Sequence, residues 1–155
     1  MSSKAFGFEK PVKGNTDVWL TPRRIVDGFN VQFDLDPCAE RGHELAKENF
    51  YEKGLEQKWN GLVWLNPPYS EVERWLDRLA MHGSGIALVF ARTDTRWAQK
   101  HMHLASQVFF PLGRIAFLKQ DRTLAGNAGA PSMFLGYGDT PLSRRVAPMK
   151  GWWGK

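Results

Sequence analysis

Cysteine is nearly absent from this chain, and its scarcity limits the folds and sites that the sequence can form. Cys38 is the only cysteine among 155 residues, so the chain forms no internal disulfide and no cysteine-rich zinc site. Long apolar runs are missing too: no stretch reaches membrane-spanning length, and residues 1–14 lack the apolar core of a leader sequence. We therefore expect a soluble protein of a reducing, intracellular compartment.

The chain also lacks an internal repeat and has too few residues for two domains of ordinary size. A length of 155 residues suits one hydrophobic core, and we expect a single domain over residues 1–155. The formal net charge is +5, which favours a polyanionic partner such as nucleic acid. A mildly basic enzyme with no such partner explains the charge equally well.

Apolar residues recur in short runs with the spacing of β-strands. Val31, Phe33 and Leu35 alternate with polar residues, which is typical of a strand with one buried face. Short continuous apolar runs bounded by turn-forming residues are typical of fully buried strands. The predicted strands cover residues 31–35, 62–65, 86–90 and 132–137, and a hairpin is predicted over residues 108–118.

Helix-start signals lie between these strands. Thr21-Pro22 fits an N-cap followed by a first helical residue, and Ser70 opens an S-x-x-E capping box before a helix over about residues 71–81. Thr95 and its neighbours are N-cap candidates for a further helix. The alternation of strands and helices predicts an α/β fold with a mostly parallel sheet and an antiparallel end.

The tetrapeptide Asn66-Pro67-Pro68-Tyr69 follows a predicted buried strand and precedes a predicted helix. Its two prolines fix φ and remove two N–H donors, so the nearby carbonyls lie in a rigid turn outside any strand ladder. The carboxyl end of a strand is where open α/β sheets bind ligands. For the tetrapeptide alone, a stiff turn without function is the alternative.

This turn resembles the catalytic motif of amino-group methyltransferases that use S-adenosylmethionine. With six further segments, over about residues 17–137, the chain resembles the small phage-type DNA N6-adenine methyltransferases. The resemblance implies a reduced, single-domain Rossmann-like methyltransferase fold, S-adenosylmethionine as cofactor and double-stranded DNA as partner, in the cytoplasm of a bacterial host cell. The further segments are Trp19-Leu20-Thr21-Pro22, Phe33-Asp34-Leu35-Asp36-Pro37-Cys38-Ala39, Trp59-Asn60-Gly61, Arg92-Thr93-Asp94-Thr95 with Trp97, Gly113-Arg114-Ile115 with Phe117, and Pro131-Ser132-Met133.

The resemblance places catalysis at Asn66, Pro67, Pro68 and Tyr69. The adenine N6 lone pair is delocalised into the ring, so the amine becomes nucleophilic when two acceptors bind its protons. The Asn66 side-chain oxygen and the Pro67 carbonyl are two such acceptors. Tyr69 is expected to stack on a base flipped out of the duplex, and orientation then favours in-line displacement at the sulfonium methyl group.

Cofactor binding is expected at Thr21, Pro22, Asp36, Pro37 and Asn66. The resemblance implies that Asp36-Pro37 binds S-adenosylmethionine at the end of the first strand, and an ordinary strand-ending turn is the alternative. Thr21-Pro22 is either a loop that closes over the cofactor or a plain helix start. Since no Gly-x-Gly loop follows Asp36, the ligands of the cofactor ribose and adenine are not predicted.

Contacts with DNA are expected at Arg92, Arg114, Arg144 and Arg145. A helix cap is the alternative for Arg92, and a solvated turn is the alternative for Arg114. The tail 140–155 contains basic residues and two tryptophans but no acid, which suits a phosphate backbone and exposed bases. A frayed terminus is the alternative for the tail.

Recognition of the target sequence is expected to fall to loops 37–61 and 119–131 and to the tail. The first of these loops is polar and irregular, with one helix predicted around residues 44–49. No metal site is expected, because His101 and His103 are two residues apart on a predicted helix, point to different faces, and belong to the surface.

Three functions stay open at this point. DNA adenine-N6 methylation is favoured, while an RNA or protein-amide N-methyltransferase of the same fold is the second reading. The third is a nucleic-acid-binding remnant without catalysis. Covalent catalysis by Cys38, as in cytosine C5 methyltransferases, is disfavoured because the cysteine is not on the loop that carries Asn66. Restriction protection, regulation and packaging are all compatible purposes.

Overall fold

The computed structural model describes residues 19–125 and 129–155, and a mixed sheet of seven strands forms its centre. The order across the sheet is β2-β1-β3-β4-β6-β5-β7. The strands are β1 (Leu35–Asp36), β2 (Glu48–Asn49), β3 (Val63–Leu65), β4 (Gly85–Phe90), β5 (Gln107–Pro111), β6 (Ser132–Tyr137) and β7 (Gly151–Trp153).

Parallel and antiparallel pairing divide this sheet evenly. The three pairings that join β2, β1, β3 and β4 are parallel, whereas those that join β4, β6, β5 and β7 are antiparallel. The predicted α/β class and the antiparallel end are therefore confirmed. The antiparallel part is larger than predicted because the C-terminal tail supplies β7.

Helices cover both faces of the sheet. They are α1 (Arg23–Asp27), α2 (Val72–His82) and α3 (Arg96–Leu104), with 3₁₀ turns at Tyr69–Glu71 and Pro141–Arg144. Helix α2 lies within one residue of its predicted range, but its N-cap is Glu71, which makes no side-chain cap bond, and Ser70 lies in the 3₁₀ turn instead. The Thr95 side chain caps α3, as predicted, by accepting a hydrogen bond from the Ala98 N–H.

The alternation of side chains along the central strands builds two cores. Val63 and Leu65 belong to the core under α2 and α3, whereas Trp64 belongs to the core under α1. Ile86 and Leu88 alternate with their neighbours on β4 in the same way. Because successive strand residues point to opposite faces, a continuous apolar run serves both layers.

Several sequence-based predictions of elements were wrong. The segment 108–118 is not a hairpin, because β5 pairs with β6 and β7 while Leu118 forms isolated bridges with Leu20 and Leu124. The predicted helix around residues 44–49 contains β2 instead. Of the predicted strand 31–35, only Leu35 joins the sheet, and β1 continues to Asp36. These segments are short, so long-range pairing decides their conformation more than local pattern does.

The C-terminal tail is part of the fold. Strand β7 pairs with β5 at the sheet edge, and the Trp153 ring lies 4.5 Å from the ring of Phe109. The ammonium group of Lys155 donates to the carbonyls of His103 and Ala105, where α3 ends. A frayed terminus is thereby excluded, and the ordered structure continues beyond the predicted core of about residues 17–137.

A buried polar network ties α2 and α3 to the sheet. The ring of His101 lies 2.9 Å from both Asp77 Oδ1 and the Tyr137 hydroxyl. Burial lowers the pKa of His101 although Asp77 opposes this effect. The prediction that His101 is a surface residue was wrong, because its side chain is fully buried in this network.

No helix within residues 19–125 and 129–155 is long and apolar enough to cross a membrane.

The close approach of Gly54 to Pro37 generates a stability prediction. An added β-carbon at Gly54 would overlap the Pro37 carbonyl oxygen, which is backbone and cannot turn aside. We expect Gly54→Ala to lower the free energy of unfolding by about 2–3 kcal/mol. Chemical denaturation measures the change, and Gly129→Ala is the control because no described atom lies within 4 Å of its added β-carbon. Equal stability of the two variants would contradict the prediction.

Candidate active site

Three parallel strands carry polar residues to one edge of the sheet. Asp36 ends β1, Asn66 follows β3, and Arg92 lies two residues beyond β4. Because these strands are parallel, their carboxyl ends meet at the same edge, where α/β sheets bind ligands. The structure thus brings together three of the residues that the sequence singles out.

The side-chain amide of Asn66 has a defined orientation. Its Nδ2 donates to the Trp19 carbonyl at 2.5 Å and lies 3.1 Å from the Thr21 hydroxyl oxygen. A carbonyl only accepts, so the NH₂ group must face Trp19 and Oδ1 must point elsewhere. Among the described residues none donates to this oxygen, which leaves Oδ1 as an acceptor for a ligand.

The two prolines after Asn66 shape the turn that carries it. Pro67 is buried and Pro68 is half-buried, and the Pro68 carbonyl accepts from the Glu71 N–H at 3.3 Å to close the 3₁₀ turn. Fixed φ at both prolines stiffens the chain between β3 and α2. Asn66 and Tyr69 therefore project from a rigid support.

A cavity opens beside Asn66 toward β1. It has a volume of about 180 Å³ and opens to solvent. Three of the five predicted cofactor residues, Thr21, Asp36 and Asn66, line this cavity, whereas Pro22 and Pro37 do not. Its wall consists of Trp19, Leu20, Thr21, Asp36, Cys38, Ala39, Glu40, His43, Leu45, Tyr51, Trp64, Asn66, Pro67 and Pro68.

Asp36 is a buried carboxyl group in the wall of this cavity. Burial raises the pKa of Asp36 to about 7, and a hydrogen bond from the Cys38 N–H at 3.0 Å only partly opposes that effect. Within the described residues no cation pairs with this carboxylate. A carboxyl group that is desolvated and lacks a cationic partner suits a ligand that carries positive charge.

A second, smaller cavity lies on the other side of the Asn66 turn. It shares Trp19, Asn66 and Pro67 with the first cavity and adds an aromatic wall. The Tyr69 ring lies 4.9 Å from the ring of Phe90. Asn66 therefore stands between two cavities, one lined partly by a carboxyl group and one lined by aromatic rings.

Arg92 lies beside Tyr69 at the entrance to this aromatic region. Its guanidinium carbon is 6.0 Å from the centre of the Tyr69 ring. Burial raises the pKa of Tyr69 to about 12, although the hydrogen bond and the charge of Arg92 act in the opposite direction. The Tyr69 hydroxyl therefore remains protonated at neutral pH.

The remaining predicted arginines separate into two groups. Strand β5 runs in the same direction as β4, since both are antiparallel to β6, so Arg114 follows β5 at the edge that carries Asn66. Arg144 and Arg145 follow β6 and lie at the opposite edge. There Arg144 binds both oxygens of Asp139, and Arg145 lies 5.1 Å from the ring of Trp153. Their predicted contact with DNA stays a prediction, and it lies away from Asn66.

Sequence reasoning missed the cavity residues between β1 and β2 and just after β2. His43 Nε2 lies 2.7 Å from the Thr21 carbonyl oxygen. Tyr51 also lines the cavity, and the guanidinium carbon of Arg41 lies 4.4 Å from the centre of its ring. This segment has no periodicity that predicts where its side chains point. Only its polarity and its position between two strands of one sheet could have directed attention to it.

Among the described residues, no group of three histidine, cysteine, aspartate or glutamate side chains is arranged to hold a metal ion.

The fold is that of an α/β protein with a candidate ligand site at the carboxyl ends of its parallel strands. Comparison of the sequence with known protein families identifies the family within this class. The model of the family described as DNA N-6-adenine-methyltransferase (Dam) matches residues 9–137, and the chain belongs to this family.

Two relatives are phage proteins. The chain is 28% identical over 123 residues to a DNA N-6-adenine-methyltransferase of Haemophilus phage HP1, with 70% of each protein covered. It is 28% identical over 106 residues to a DNA N-6-adenine-methyltransferase of Escherichia phage T1, covering 61% of this chain and 44% of that relative. No solved structure matches.

The raised pKa of Asp36 predicts a stability that depends on pH. Folding favours the protonated Asp36 carboxyl, because its pKa is 3.8 in an unfolded chain and about 7 in the folded protein. The free energy of unfolding therefore falls as pH rises between these two values. Asp36→Asn should therefore raise the free energy of unfolding at pH 8 by about 2–4 kcal/mol relative to the unaltered protein, and by less at pH 5. Urea denaturation at both pH values measures this. A gain that is independent of pH would show that Asp36 does not titrate as inferred.

Proposed function

We propose that this chain transfers a methyl group from S-adenosylmethionine to N6 of an adenine in double-stranded DNA. The observation that carries this proposal is the orientation of Asn66, whose Oδ1 is left as an acceptor between two cavities. Family membership supports the same reaction. The first cavity suits the cofactor, and the aromatic rings on the other side of Asn66 suit a base.

The first cavity fits S-adenosylmethionine. Asp36 is a desolvated carboxyl without a cationic partner among the described residues, which suits the amino group of the methionine part. Tyr51 and His43 add an aromatic and a polar surface to the same wall. Asp36 would hold the amino group, and the chain between β1 and β2 would hold the nucleoside. When bound, S-adenosylmethionine supplies a methyl group made electrophilic by a sulfonium.

Asn66 would activate the amine. Its Oδ1 would accept a hydrogen bond from one N6 proton, and the Pro67 carbonyl would accept one from the other. Both bonds draw the nitrogen lone pair out of conjugation with the ring, and they strengthen as positive charge develops on the nitrogen. The amine nitrogen would then attack the methyl carbon in line, the carbon–sulfur bond would break to release a neutral thioether, S-adenosylhomocysteine, and the surplus N6 proton would leave to solvent.

The aromatic side chains beside Asn66 would contact the adenine. A base must leave the duplex to reach a methyl donor inside the protein, and aromatic side chains stabilise an unstacked base. Tyr69 and Phe90 offer such rings beside Asn66. The protonated Tyr69 hydroxyl suits a stacking or positioning role better than a role as a base.

Arg92 and Arg114 would bind the phosphate backbone near the site. Both lie at the edge of the sheet that carries Asn66, and phosphate contacts position a duplex without reading its sequence. DNA that contacts Arg144 and Arg145 would have to extend to the opposite edge of the sheet. We therefore place the main contact surface around Arg92 and Arg114.

Incubation with labelled S-adenosylmethionine and unmethylated double-stranded DNA, followed by nucleoside mass spectrometry, tests the proposal. We expect label in N6-methyladenine. Parallel reactions with RNA and with protein distinguish the alternative substrates of this fold. Calorimetry with S-adenosylmethionine is the accompanying measurement, since absence of cofactor binding would indicate a nucleic-acid-binding remnant.

Asn66→Ala should lower turnover by about a hundredfold or more, because it removes an acceptor that strengthens in the transition state. Cofactor affinity should change by no more than a few-fold, since Asp36 and the wall of the first cavity remain. Single-turnover kinetics and calorimetry measure the two quantities. Turnover close to that of the unaltered enzyme would remove Asn66 from the mechanism.

Tyr69 should act through its ring. Tyr69→Phe keeps the packing against Phe90 and should retain most of the turnover, whereas Tyr69→Ala should lose about tenfold or more because it removes a stacking surface. The two variants are compared in the same methylation assay, with melting temperature as the control for folding. Equal loss in both variants would assign the role to the hydroxyl instead.

A further inference from the structure

We propose that Thr21 is a positioning residue that fixes the side-chain amide of Asn66. This inference rests on the proposed function, because it assigns Thr21 a role in the same reaction. The Thr21 side chain is buried, with 1% of its surface exposed, and its hydroxyl oxygen lies 3.1 Å from Asn66 Nδ2. Trp19 provides the second acceptor for the same nitrogen through its backbone carbonyl.

The segment 19–21 acts as one unit in this arrangement, and we refer to it as the strap. The backbone carbonyl of Trp19 and the side-chain hydroxyl of Thr21 both reach this one amide. Both hydrogens of the Asn66 NH₂ group then have an acceptor. Its oxygen is directed away from the strap for the same reason.

Contacts on both sides hold the strap in place. Leu20 and Leu118 exchange two backbone hydrogen bonds, at 3.0 and 2.9 Å. His43 Nε2 lies 2.7 Å from the Thr21 carbonyl oxygen on the side of the first cavity. Because its backbone is anchored twice, the strap can impose an orientation on Asn66 and need not follow it.

Loss of the Thr21 hydroxyl would leave one hydrogen of the half-buried Asn66 amide without its protein acceptor. The amide could then rotate about its last torsion, a broad and soft degree of freedom. A rotated amide presents its oxygen at an angle that no longer suits the N6 proton. Turnover should fall for this reason while the cofactor, which Asp36 holds, still binds.

The competing account is that Thr21 contacts the cofactor directly, since it also lines the first cavity. The two accounts predict different losses. A positioning role lowers kcat and leaves cofactor affinity unchanged, whereas a binding role weakens affinity. A merely structural role would change neither kcat nor cofactor affinity and would lower the melting temperature alone.

The experiment compares Thr21→Val, Thr21→Ser and Thr21→Ala with the unaltered protein. Valine keeps the shape and removes the acceptor, serine keeps the acceptor, and alanine replaces valine should that variant fail to fold. Thr140→Val is the matched control, because Thr140 is equally buried and follows β6 at the opposite edge of the sheet. We measure kcat on DNA, calorimetric affinity for S-adenosylmethionine and melting temperature.

A second measurement does not depend on activity. In ¹⁵N-labelled protein, the Nδ2 hydrogens of Asn66 are assigned by their disappearance in Asn66→Ala. Both should exchange slowly with solvent in the unaltered protein and in Thr21→Ser, whereas one should exchange at least about tenfold faster in Thr21→Val. This readout reports whether each amide hydrogen keeps its acceptor, independently of turnover.

We expect Thr21→Val to lower kcat by about tenfold, because one of the two acceptors remains. Cofactor affinity should stay within about twofold, and Thr21→Ser should restore most of kcat. Unchanged kcat or unchanged amide exchange in Thr21→Val would overturn the inference, as would a loss confined to cofactor affinity. An unaltered protein that methylates no DNA but shows the predicted exchange pattern would instead overturn the proposed function alone.

Discussion

Parallel pairing of β1, β3 and β4 is the constraint on which the rest of the structure depends. Strand β3 pairs with both neighbours in the same direction, so Asp36, Asn66 and Arg92 emerge at one edge. None of these residues is close to another along the chain. A reversal of any one strand would move its polar residue to the far edge, where Arg144 and Arg145 lie. The site is therefore a consequence of topology before it is a consequence of any single contact.

The sequence predicts the parts of this arrangement that depend on local pattern. Helix α2 follows from apolar residues at helical spacing, and strands β4 and β6 follow from continuous apolar runs. Their observed ranges agree with the predicted ones within one residue. The stiff turn after β3 follows from its prolines. Its chemical role is proposed from a motif, because amide orientation depends on the Trp19 carbonyl, 47 residues away in sequence. No local pattern contains that information.

The errors have a common physical origin. Strands β1, β2 and β7 contain two or three residues each, and so short a strand has no measurable alternation of its own. Each exists because a neighbour offers a row of unpaired backbone groups. Pairing with β5 likewise converts a tail that resembles a frayed terminus into an edge strand. The same dependence on partners explains why residues 112–118 leave the sheet: the place beside β5 is already taken by β7.

The wall of the first cavity shows how irregular chain can still be well defined. Polar groups between β1 and β2 bond to residues outside that segment. The Tyr51 hydroxyl, just after β2, donates to Glu44, and Arg122 donates to the Arg41 carbonyl from a distant loop. These bonds replace the ladder that a longer strand would provide. They also connect the cavity wall to the segment that pairs with the strap through Leu118. The first cavity, the strap and Asn66 are thus joined by hydrogen bonds, so the conformation of each depends on the others.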